Sequence, residues 1–223
     1  MMSLSVSAFV DNFFIFLGVI LIIAILIIIL ILRFIINKIY IHFIAPMSNQ
    51  IEERGKIRVF EDIESLKLST HALHNFEYTR DDKAYAEIDA IIICPKGIIV
   101  IDVKDYGGKI YGNSNNKYWK QYLSKTAELF NPYNPIWHND FNIQTISDIV
   151  DKKDISYFSV ILFGDSSKLH ISVSNPKVFI SKIKHAKKII RNILKSNNPD
   201  CLTVDEIDKA LSALVNTQTS SLK

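Results

Sequence analysis

Residues 13–32 form a run of 20 without a charge, nearly all Ile, Leu, Val or Phe. No other stretch constrains the fold so tightly. A backbone set in hydrocarbon must satisfy its own hydrogen bonds, and a single segment does so only as a helix. At about 1.5 Å per residue the run spans a bilayer core of roughly 30 Å. A secretory signal would have a basic leading region and a shorter apolar core of about 7–15 residues. Here the charge ahead of the run is Asp11, and no small-residue cleavage pattern follows it. A buried helix of a soluble protein would keep a polar face, which this one lacks. The expectation is a short extracytoplasmic tail over 1–12, a transmembrane helix over 13–36 and a linker over 37–48. Arg33 and Lys38 follow the run and nothing basic precedes it. The positive-inside rule then gives a single-pass protein of the cell membrane with its C-terminal bulk in the cytoplasm.

The remainder of the 223 residues is enough for one domain of ordinary size. Its formal charge of +3 comes from a near-balance of signs, unlike the strong basicity of an architectural nucleic-acid binder. Basic residues do cluster at Lys182, Lys184, Lys187, Lys188 and Arg191, where they could track a phosphate backbone, rest on an anionic leaflet or simply face water. Cys94 and Cys201 fit no ligand spacing and read as reduced thiols of a cytoplasmic domain.

Helical spacing of Ile51, Ile57, Phe60, Ile63 and Leu66 predicts an amphipathic helix over 49–66. Strands are expected at 72–79, 87–94, 98–104, 109–111 and 118–122, with a charged connection over 79–85. Asn134-Pro135 predicts a helix start, with the helix running to about Val150. Short apolar runs at 157–163 and 178–180 read as buried strands, and 181–195 as a basic helix. Thr203-Val204-Asp205-Glu206 resembles a capping box opening a last helix to about Val215, followed by a frayed tail over 217–223. The expected fold is α/β (α+β), with a mainly antiparallel twisted sheet flanked by helices.

Two of the strands carry a carboxylate where an apolar residue belongs. Asp102 and Lys104 share one face of their strand. If Pro95 and Lys96 form the turn, Asp89 falls opposite Asp102, whereas a glycine bulge at Gly97 would shift that register by one. Like charges facing each other across a sheet need a compensating cation, either Lys104 or a metal ion. Two carboxylates and a lysine are the minimum for metal-dependent phosphodiester hydrolysis, because Mg²⁺ takes oxygen ligands and a lysine stabilises developing negative charge. Taken alone, Asp-x-Lys on a strand is more often a solvated face. Tyr106, Trp119, Tyr122 and Trp137 are aromatics able to stack on unpaired bases or to pack in the core.

Glu87-Ile88-Asp89, the segment from Gly97 to Lys104, and Gly107-Gly108-Lys109-Ile110 together resemble the nuclease-related domain family. Asn134-Pro135-Ile136-Trp137-His138-Asn139 is similar to that family's Asn-Pro-x-x-Gln-Asn segment. The resemblance implies a core related to the PD-(D/E)xK nucleases over 49–164, with 165–216 as a helical extension. It further implies Asp89, Asp102 and Glu53 as ligands of Mg²⁺ or Mn²⁺ and Lys104 as the catalytic lysine. His138, Asn139, Lys109, Lys184 and Lys188 are candidates for nucleic-acid contact, with DNA ahead of RNA as the partner. Two residues depart from the pattern. Lys56 stands where the family has the second acid of its first helix, and His138 where it tends to have glutamine. The resulting expectation is a membrane-anchored, metal-dependent nuclease. The alternative is a catalytically inactive module that binds nucleic acid or protein at the membrane.

Overall fold

The computed structural model describes residues 2–39, 45–66, 71–80, 84–123 and 129–221. The centre of the predicted connection over 79–85, part of the linker over 37–48 and residues 124–128 lie outside them. The chain divides into two compact units, residues 1–50 and 51–223.

In the first unit, α1 (Met2–Ile39) contains one stretch, Phe16–Ile36, long and apolar enough to cross a membrane. Its apolar side chains from Phe16 to Ile36 are broadly exposed and find no core of their own. The helix extends the predicted span toward the N-terminus, so the expected separate tail over 1–12 is helical from Met2.

Helix α2 (Ala45–Glu64) leads into the second unit, which among the described residues contains nine strands. These are β1 (His71–Arg80), β2 (Ala84–Cys94), β3 (Gly97–Lys104), β4 (Lys109–Asn113), β5 (Lys120–Tyr122), β6 (Leu129–Phe130), β7 (Tyr157–Phe163), β8 (Lys168–Ser172) and β9 (Val178–Lys182). The helices are α3 (Pro135–Val150), α4 (Ala186–Leu194), entered through a short 3₁₀ turn, and α5 (Val204–Ser221).

The larger sheet has the order β1-β2-β3-β7-β9. Its first three strands are antiparallel hairpins, whereas β7 and β9 join parallel to β3. The sheet is therefore mixed, because α3 carries the chain over one face before β7 enters. The β2–β3 turn has the even register, with Cys94 opposite Gly97 and Ala90 opposite Ile101. Gly97 is needed there: its φ is +130°, and an added Cβ would lie 1.9 Å from the Ser156 carbonyl oxygen.

Both faces of this sheet are covered, which explains the unbroken apolar runs in β2 and β3. Ala90, Ile92, Ile99 and Ile101 pack against Val59 and Ile63 of α2 and Ile190 of α4. On the other face Ile91, Ile93, Ile98 and Val100 pack against Ile146 of α3 and Ile207 and Leu214 of α5. Ile88 joins that second cluster too, so the strict alternation of β2 slips between Ile88 and Ile91, where Asp89 sits.

The smaller sheet has the order β6-β5-β4-β8. Its inner face buries Ile110 and Trp119 against Ile161 and Phe163 of the large sheet. Residues 165–216 are therefore not simply a helical extension. They supply β8 to one sheet and β9 to the other, and their final helix continues to Ser221 through most of the tail expected to fray.

Candidate active site

Among the described residues Asp89 and Asp102 are the buried acids of the domain, 5 % and 3 % exposed. The β2–β3 ladder is regular up to Ala90 and Ile101. At the next position the Val103 N–H donates to Asp89 Oδ2 at 2.6 Å, so a side chain takes the place of a backbone partner. Asp89 thus sits at the fork where β2 leaves β3. Its other oxygen, Oδ1, lies 2.8 Å from Lys56 Nζ, which also donates to Glu87 Oε1 at 3.4 Å.

Asp102 is engaged from the opposite layer. Its Oδ1 lies 2.8 Å from Lys104 Nζ, two residues along the same strand face. Its Oδ2 is buried with no hydrogen-bond partner, and so is Nδ1 of His138 on α3, 3.8 Å away. That gap is an ion-pair distance, too long for a hydrogen bond.

The two environments drive the acids apart. Burial and the neighbouring Asp102 charge push Asp89 above the usual carboxylate range, against the pull of Lys56 and the Val103 N–H. Burial also opposes ionisation of Asp102, but His138 and Lys104 outweigh it and hold Asp102 below its ordinary value. Lys104 is desolvated as well, yet Asp102 and its other neighbours keep it firmly protonated. The arrangement is a fixed anion at Asp102, a fixed cation at Lys104 and a second lysine closing on Asp89.

The other predicted residues divide. Glu53 is exposed on α2, and Lys56, almost one turn later, is the side chain that reaches Asp89. The side chain of Glu52, the other acid there, lies outside the described residues. Asn139 is fully buried and donates to the Val100 carbonyl and Ser159 Oγ, pinning α3 to the sheet, so it is not placed to meet a nucleic acid. Lys109 is exposed on β4. Lys184 and Lys188 belong to the turn and helix after β9, where the Lys184 N–H donates to Asp165 Oδ1. Neither shares a described contact with Asp102. Trp119 is core, its Nε1 donating to the Asn113 carbonyl, while Trp137 is partly exposed beside Tyr133.

Sequence reasoning missed the role of Lys56, which it counted as a lost acid. It read Asn134 as a helix start but missed its second contact: the residue is fully buried, its Oδ1 caps α3 at the Ile136 N–H, and its Nδ2 donates to the Asn116 carbonyl at 2.8 Å. The Asn-Pro pair announced the cap, but nothing local announced its second role as a tie to the β4–β5 turn.

A hard divalent cation seeks anionic oxygens. Asp102 Oδ2 suits it, since a buried charged oxygen without a hydrogen bond is costly. Asp89 Oδ1 is held by Lys56. Among the described residues no three His, Cys, Asp or Glu side chains form a ready cage. By chemistry alone these donors suit at most a two-carboxylate site completed by water and substrate oxygens, with Asp89 engaged from the α2 side and Asp102 from the α3 side.

Residues 51–164 match the family model described as nuclease-related domain. An uncharacterised protein of Bacillus anthracis is 28 % identical over 85 residues, covering 38 % of this chain and 39 % of its own length. The chain thus spans well under half of that relative. No solved structure matches it. With just over half its length matched, the chain belongs to the nuclease-related domain (NERD) family.

Proposed function

We propose that the protein is a membrane-anchored nuclease whose domain hydrolyses nucleic-acid phosphodiesters at Asp102 and Lys104, with DNA the first substrate to test. One observation carries the reading: a buried carboxylate oxygen of Asp102 has no hydrogen-bond partner, only His138 at 3.8 Å, and a protonated lysine holds the oxygen beside it. Asp102 Oδ2 and Asp89 Oδ1 would hold Mg²⁺ or Mn²⁺. When bound, that ion would acidify water and draw charge from phosphoryl oxygens. Lys104 supplies fixed positive charge where negative charge develops, at no reorganisation cost because Asp102 already orients it. The His138 ring is 41 % exposed, so it reaches from Asp102 toward solvent and can donate to a phosphate. The Phe16–Ile36 stretch would anchor the chain, with Arg33 and Lys38 keeping the domain in the cytoplasm.

The test uses the full chain in detergent micelles with labelled DNA and RNA, Mg²⁺ or Mn²⁺, and a chelator control. Cleavage should require metal and vanish in Asp102→Ala and Lys104→Ala variants that still fold. Intact substrates under all metals would overturn the reading. A second reading, binding without cleavage, is favoured by one contact: Lys56 already neutralises Asp89 at 2.8 Å. It would be supported by metal-independent binding with no turnover.

A further inference from the structure

The smaller sheet turns Ile110 and Trp119 inward, which leaves its other face without a covering layer among the described residues. The register determines what that face carries. Lys109 pairs with Tyr122 and Tyr111 with Lys120 across β4 and β5. Lys109 pairs with Lys168 and Tyr111 with His170 across β4 and β8. Because alternate residues share a face, these six side chains all project outward together.

Their rings form a row across three strands. Tyr111 stacks on His170 with centroids 4.5 Å apart and planes 7° from parallel. Tyr122 meets Tyr111 edge-on at 5.7 Å. Tyr111 is 39 % exposed, and Lys109, Lys120, Lys168 and His170 are exposed too. Among the described residues the register places no carboxylate on this face. A large aromatic ring left in water on an open sheet gains nothing for folding, and three lysines close together repel one another. Both costs are relieved by a polyanion that carries flat aromatic groups.

We propose that this face binds single-stranded nucleic acid, with bases against the Tyr122–Tyr111–His170 row and phosphates along Lys109, Lys120 and Lys168. Duplex fits less well because its bases are already stacked on one another, out of reach of a flat ring-bearing surface. This deepens the reading of the domain as a nucleic-acid enzyme by naming the form of its substrate. It does not depend on cleavage, since the face is built from residues other than Asp89, Asp102 and Lys104.

The test is fluorescence anisotropy of labelled oligothymidylate, oligouridylate and a duplex of equal length. The full chain is held in neutral detergent micelles with chelator present to stop turnover. Single strands should bind more tightly than duplex. Tyr111→Ala should weaken that binding by about tenfold and Tyr111→Phe should restore it, as ring stacking requires. Lys120→Glu, on an exposed position, should weaken binding and flatten its salt dependence, and it serves if Tyr111→Ala does not fold. Equal binding by wild type, Tyr111→Ala and Lys120→Glu would overturn the inference, as would a preference for duplex. So would binding of phosphatidylglycerol vesicles that Lys120→Glu abolishes while oligonucleotides bind no variant. Cleavage that survives both substitutions with unchanged affinity sinks this inference and leaves the nuclease reading intact. Ring-dependent binding without any cleavage does the reverse.

Discussion

Lys56 Nζ lies 2.8 Å from Asp89 Oδ1, so a lysine from the first helix of the domain already occupies the side of Asp89 that a metal ion would use. Both side chains are largely buried, 12 % and 7 % exposed, and the contact is correspondingly strong in both directions.

Lys56→Gln should therefore have two effects. It leaves Asp89 buried beside Asp102 with its neutralising charge removed, costing about 2–4 kcal/mol of stability. It also removes a competing cation, so Mn²⁺ affinity measured by calorimetry on the full chain should rise by about tenfold or more. Unchanged or weaker Mn²⁺ binding would show that Lys56 does not compete with metal.

Asn134→Ala should lower the thermal midpoint clearly. The substitution deletes the α3 cap, worth about 0.5–2 kcal/mol, together with the donors to the β4–β5 turn. Asn134→Asp keeps the capping oxygen but loses those donors, so it should recover part of the loss. If both variants melted like wild type, the tie between helix and turn would carry no weight.

Gly112→Ala should destabilise by about 1–3 kcal/mol through overpacking. An added Cβ would come within 2.2 Å of the Trp119 ring, which is fully buried and tied to the Asn113 carbonyl. Tryptophan fluorescence should shift as Trp119 moves. An unaltered spectrum and an unaltered melting curve would contradict the contact.

Acid should loosen the corner where α2 meets the loop after β7. Burial opposes the charge on Asp165, but the Lys184 N–H and Arg58 outweigh it and hold that carboxyl below its unfolded value. Such a group contributes stability above an unfolded pKa of about 4, and the contribution disappears as pH falls through the lower folded value. Asp165→Asn should therefore melt earlier than wild type at pH 7, and the gap should close toward pH 3. A gap that stayed constant with pH would rule out ionisation as its source.

The hairpin bearing Asp89 and Asp102 was legible because its apolar runs are long and Pro95-Lys96-Gly97 marks the turn between them, while its register, open in the sequence, is the even one. The α3 start was legible from Asn134-Pro135 for the same local reason. Strand β8 was not: Lys168-Leu169-His170-Ile171-Ser172 is short and half polar, and it is a strand because β4 lies alongside it. Lys56 could not be assigned its partner because the contact joins α2 to β2 through tertiary packing. Tyr111 and Tyr122 look like any strand aromatics until the register shows that they share an outward face.

The parallel ladder places Ile161 beside Asp102, and His138 arrives on the helix between them in sequence. Parallel pairing waits on a long crossover, whereas the β1–β3 hairpins need only near neighbours. During synthesis the Asp102-x-Lys104 motif would thus be complete while its carboxylate still stood in water, unable to acquire its buried character. A chain halted before Tyr157 would carry every residue of the motif, and His138 with them, but would lack the strand that flanks Asp102. The surroundings of Asp102 are therefore complete only once β7 lies alongside β3.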